Sequence, residues 1–137
     1  MEALTRGNLQ GMKRRETLLR VRRENSCVFT LTLILDPDGG ERGITFTEFY
    51  DYGPLGDDPG REYGYSVHAP YDTLDALANH YAPDAPGPAA DRLAEGLRTA
   101  LHDGDRLGLK GSQHRVLEGF ELAGVPATTS IWSWIND

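Results

Sequence analysis

The chain has a single cysteine among its 137 residues, no long apolar run and no glycine-rich phosphate loop. One cysteine rules out a disulfide framework within the chain. Cys27 sits in the apolar run that continues Val28-Phe29-Thr30-Leu31, the setting of a small buried hydrophobe rather than a reactive thiol. No stretch approaches the ~18 to 20 apolar residues of a membrane span, so no membrane role is expected. The basic N-terminus is not followed by an apolar segment and a small-residue cleavage site, which makes the cytoplasm the expected location.

Missing chemistry narrows the function classes further. Lys110-Gly111 lacks the strand, loop and helix context of a nucleotide-binding loop, and no Gly-x-Ser-x-Gly elbow is present. Asp36-Pro37-Asp38-Gly39 starts like a calcium loop, but the later ligand positions and the closing Glu are absent, so it reads as a hairpin turn. The histidines His68, His80, His102 and His114 are scattered, without metal-ligand spacing or a cysteine pair. Neither a metal nor a cofactor is expected, and no catalytic group is assigned.

What is present is enough for one domain, since a chain of this length buries roughly two-thirds of its unfolded surface. The charge is uneven. Residues 1–25 hold seven Lys/Arg and three Glu, so the net −7 of the chain conceals about −11 in the remainder. An acidic body repels nucleic acid and speeds encounter with a basic partner. The polar residues 1–11 have no period, and Met12 directly precedes Lys13-Arg14-Arg15, so Met12 is a candidate start. The expected organisation is a flexible basic segment over residues 1–16 and one domain over residues 17–137.

Hydrophobic periodicity supplies the elements. Leu19 and Val21 alternate with Arg20 and Arg22, and Cys27, Phe29, Leu31, Leu33 and Leu35 occupy the odd positions of the strongest strand. Asp36 to Gly40 turns the chain into a strand over residues 44–52, and residues 61–68 return as another after a Gly/Pro/Asp loop. Asp72, as a helix cap, opens a helix with Leu74, Leu77, Ala78 and Tyr81 on one face. A second helix runs over residues 89–103, and a third starts at Ser112 and stops at Gly124-Val125-Pro126. Residues 128–135 form a last strand with Trp132 and Trp134 opposite Ile131 and Ile135, and the tryptophans are assigned to the core. Strands followed by helices predict an α+β fold, an antiparallel sheet of four to five strands with two to three helices on one face.

The segment from Glu48 to Tyr65 brings together Glu48, Asp51, Asp57, Asp58 and Glu62 with Tyr50, Tyr52, Tyr63 and Tyr65. Three readings compete for it. It is a solvated edge and turn, a pair of acid-base carboxylates, or an interface in which stiff tyrosines and carboxylates meet Lys and Arg of a basic partner. All nine residues are candidate partner-binding positions on the last reading.

The order Glu62-Tyr63-Gly64-Tyr65-Ser66-Val67, a helix with Leu74 and Leu77, then Phe120-Glu121-Leu122-Ala123-Gly124-Val125-Pro126 and Ile131-Trp132-Ser133-Trp134 resembles small bacterial polymorphic-toxin immunity proteins. The resemblance spans residues 44–135 in outline and transfers no functional residue. It implies a cytoplasmic monomer or homodimer that binds a cognate toxin, commonly a nuclease, and covers its active site. The alternatives are a small enzyme or ligand-binding domain with a pocket between sheet and helices, with Glu48, Asp51 or His68 at its mouth, and a structural or regulatory subunit. An N-terminal mass on protein made from the native gene with its own start signals tests the Met12 expectation, which requires a product lacking residues 1–11.

Overall fold

In the computed structural model the described residues are 13–22, 27–52, 61–103 and 112–135. Period-two alternation yields five strands: β1 (Arg14–Arg22), β2 (Val28–Leu35), β3 (Ile44–Asp51), β4 (Arg61–Ala69) and β5 (Thr128–Ile135). They form one antiparallel sheet in the order β1-β2-β3-β4-β5. Between β4 and β5 the chain makes three helices: α1 (Leu74–Tyr81), α2 (Ala89–Asp103) and α3 (Ser112–Leu122). This is the α+β fold that the pattern of elements predicts.

Two boundaries depart from expectation. β1 begins at Arg14, so Arg14, Arg15 and Glu16 belong to the sheet rather than to a flexible segment over residues 1–16. Asp72 does not cap a helix but lies within a short 3-10 turn, Tyr71–Thr73. There the Thr73 hydroxyl donates to the Pro70 carbonyl at 2.7 Å, and the α-helix opens one residue later. Met12, Asp57 and Asp58 lie outside the described residues.

Register explains which face is hidden. Leu35, Ile44 and Ala69 line up across β2, β3 and β4, as do Leu33, Phe46 and Val67, and all six are buried. Against these rows pack Leu77 and Ala78 of α1, Leu93 and Leu97 of α2, and Val116 and Phe120 of α3. Each fully buried side chain of this size contributes about 1.5 to 3 kcal/mol relative to exposure. Cys27 is fully buried in the same core.

α2 leans over β1, and α3 over β3 and β4. Glu16 of β1 accepts from Arg14 and from Arg98 of α2, each at 3.0 Å, while Arg14 also reaches Asp91 at the start of α2. Partial burial of Glu16 raises its carboxyl pKa, but the hydrogen bonds from the two guanidinium groups outweigh it and hold the value below the ordinary 4.5. α3 ends in a Schellman motif: Val125 N–H donates to the Phe120 carbonyl and Gly124 N–H to that of Glu121, each at 3.0 Å, with Gly124 at φ +78°.

Two helical glycines make room for Tyr81. A Cβ at Gly96 would lie 2.6 Å from Tyr81 Cβ and 2.8 Å from its carbonyl oxygen, while Gly119 faces the Tyr81 hydroxyl. Burial pushes the Tyr81 phenol up to about 12, with Arg115 opposing. In Gly96→Ala, overpacking against backbone should outweigh the ~1 kcal/mol that alanine gains in a helix. A net loss of about 1 to 2 kcal/mol is expected from urea unfolding, whereas a gain in stability would mean that α1 and α2 are not in this close contact.

Candidate functional site

Alternation along a strand sends neighbouring residues to opposite faces, so Tyr50 and Asp51 cannot share a surface. The segment read from sequence as one patch is therefore two. Glu48 and Tyr50 turn toward the helices and are buried, and Tyr52, Tyr63 and Tyr65 pack against that same core. Phe29, Tyr50 and Tyr65 make successive ring contacts with centroids 5.0 and 5.9 Å apart, and Tyr52 meets Tyr63 edge-on at 6.1 Å. Asp51 and Glu62 lie on the other face, directly opposite one another across β3 and β4.

Glu48 has a structural assignment. One carboxylate oxygen accepts the backbone N–H of Gln113 in the first turn of α3 at 2.9 Å, and the other accepts the Tyr50 hydroxyl. A strand carboxylate thus satisfies an N–H group that the helix cannot pair within itself. The Gln113 side chain adds a bond to the Ser66 carbonyl at 2.9 Å, which fixes α3 on β4.

The sheet face away from the helices carries another set of residues. Thr17, Thr32, Thr47, Ser66 and Ser130 align in register across all five strands and form a continuous hydroxyl row. Thr47 and Ser66 are hydrogen-bonded at 2.9 Å. One row along, His68 has hydroxyl partners on both ring nitrogens, Thr45 at 3.0 Å and Ser130 at 2.8 Å. The Ser130–His68 contact has the spacing of a nucleophile and base, but the group behind the imidazole is a threonine rather than a carboxylate. The arrangement therefore lacks the anion that would stabilise an imidazolium.

The next row is aromatic. Phe49, Gly64 and Trp132 are register partners, and with no side chain at Gly64 the Phe49 and Trp132 rings meet above its backbone, centroids 6.1 Å apart and planes 24° apart. Trp132 is 50 % exposed, which corrects its assignment to the core; the Trp134 side chain lies outside what the structure describes. A groove of about 300 Å³ runs beside this stack. Its floor is Val28, Thr30 and Thr32, one wall is Arg15 and Arg20, and the other is Phe49 and Asp51.

Charge divides between the layers. β1 carries four arginines and one glutamate, while residues 71–103 and 112–127 hold eight Asp/Glu against three Arg. The helical layer is thus net acidic, and the open face is bipolar, with arginines along the β1 edge and Asp51 and Glu62 near the β3–β4 end. Of the seven predicted residues that are described, the structure brings only these two to the open face. Phe49, Thr30, Thr32 and the arginines were missed as site residues, although the parity of Thr30 and Thr32 against the odd apolar positions of β2 already marks that face.

Comparison with protein-family models, with curated proteins and with solved structures finds no significant match to this chain.

Burial, with a smaller contribution from Arg42, holds the His68 pKa below its ordinary 6.5. A depressed folded-state pKa favours the neutral ring, so the associated stability is present above pH 6.5 and is lost as pH falls through the folded value. Urea unfolding at pH 7 and pH 5 should show a smaller loss in His68→Gln than in the wild type. Equal losses would remove His68 as the source of the acid sensitivity.

Proposed function

We propose that this protein binds and neutralises a bacterial toxin domain, and that the contact is made by the open face of the sheet. The observation that carries this reading is the Phe49–Trp132 stack beside a preformed groove, with Trp132 half exposed. A rigid aromatic pair next to a concave strip supplies the buried anchor on which protein interfaces depend. Elsewhere on this face Thr45, Thr47, Ser66, His68 and Ser130 are already hydrogen-bonded to one another, so covering them strands few polar groups.

The polarity of the face supports a basic contact at its Asp51 end. Asp51 and Glu62 place two carboxylates side by side at this end, and a lysine or arginine laid against them adds charge-assisted hydrogen bonds. A nuclease toxin carries basic side chains for phosphate, which matches this end of the groove. The alternative of a pocket between sheet and helices has less support. Glu48 is committed to α3 and Tyr50, while Asp51 and His68 lie on the far side of the sheet, so the three do not converge.

Asp51→Lys reverses the charge at this end of the groove, so partner binding should fall by at least about tenfold, or 1.4 kcal/mol. Glu118→Lys, in the helical layer, should leave binding unchanged. The check is a pull-down of tagged protein from its native host, with mass spectrometry of the bound chains and affinity measurement on the one recovered. A basic, toxic domain retained by Glu118→Lys and lost by Asp51→Lys supports the reading. If folded wild type recovers no such domain, or if the two variants behave the other way round, the reading fails.

A further inference from the structure

The sheet has two edges, and they are built differently. β1 carries Arg14, Arg15, Arg20 and Arg22, has a register shift between Thr17 and Leu19, and is tied to α2 through Glu16. Charges, an irregular register and a covering helix are the devices by which edge strands avoid pairing with other chains. β5 lacks the charges and the register shift, and among the described residues a helix meets it where the Gln113 side chain donates to the Ser130 carbonyl at 3.3 Å. Its sequence Thr128–Ile135 contains no charge and no proline, its pairing with β4 runs without a shift, and no described strand pairs with its outer side. It also carries Ile131, 71 % exposed, and Trp132, 50 % exposed, on opposite faces.

We infer that β5 is a self-association edge, and that two copies of this chain join β5 to β5 antiparallel into one ten-stranded sheet. The charge pattern selects a second copy as the occupant. In a two-fold contact residues near the axis meet their own copies, so every charge there would face a like charge. This chain has net charge −7, and between Glu121 and Asp137 it has no Asp, Glu, Lys or Arg, the longest such interval in the sequence. The uncharged interval contains the whole of the edge that lacks protection.

The side chains also select a register. Antiparallel partners lie on the same face, so the two-fold axis must pass a residue of β5. Centred on Ile131, the pairing sets Ile131 against its own copy on the helix side, Thr129 against Ser133, and Trp132 of each copy over Ser130 of the other on the open side. Both exposed apolar groups are then covered, and each indole meets a small hydroxyl residue. Centring on Trp132 would oppose two indoles and leave Ile131 beside Ser133.

The contact shares Trp132 with the toxin reading, but Ile131 and Asp51 are on opposite faces of the sheet, so variants at these two positions test the two readings separately. Light scattering coupled to size exclusion should give twice the 15.1 kDa chain mass for wild type. Ile131→Lys opposes two lysines and should halve that mass, while Ile131→Val and Asp51→Lys should leave it unchanged. Mild oxidation should link Ile131→Cys into a covalent dimer but not Ser133→Cys, since only the former places two thiols across the axis. A wild type that stays at the chain mass at every concentration overturns the inference. A dimer insensitive to Ile131→Lys overturns it equally, and cross-linking through Ser133→Cys alone would overturn the Ile131-centred register.

Discussion

Burial of one face of a single sheet is the constraint from which the rest of this structure follows. Phe29, Leu31, Leu33, Phe46 and Val67 occupy alternate positions on three adjacent strands, and only a layer of helices can remove that surface from water. All three described helices lie between β4 and β5 in sequence and cover one side, and no described helix packs on the other. The other side must then be largely polar. A hydroxyl row keeps it wettable beside the Phe49–Trp132 pair.

Glu48 shows how the two layers are held in register. An acidic residue in an apolar row would be costly if left alone, yet its carboxylate is where the first turn of α3 needs an acceptor. The opposite corner uses surface charge. Arg14, Glu16, Asp91 and Arg98 join β1 to α2, and because these groups are partly exposed each pair adds at most about 1 kcal/mol. Their larger effect is to occupy the β1 edge, which leaves the two ends of the sheet chemically unlike.

The elements were legible because each rests on local pattern. The odd-numbered apolar positions of β2, the limits of β5 and the glycine that ends α3 were all readable in advance. The candidate site was only partly legible. Asp51 and Glu62 were identified, but grouping Glu48, Tyr50 and Tyr63 with them treated nearness in sequence as nearness on a surface. Trp132 was misassigned because an aromatic in a strand suits a core and a contact face equally, and its own residue type does not choose between them.

Composition and periodicity by themselves determined the class of fold, the order and approximate limits of the strands and helices, and the split between a basic first strand and an acidic remainder. These depend on side-chain spacing within a few residues. Tertiary structure alone decided which face of the sheet the helices took, that Glu48 serves α3 rather than solvent, and that Phe49 and Trp132 meet above Gly64 across β3, β4 and β5. Those outcomes depend on strand register and on the placement of distant segments, and pairing between residues such as Phe49 and Trp132 leaves no mark on the spacing of either strand.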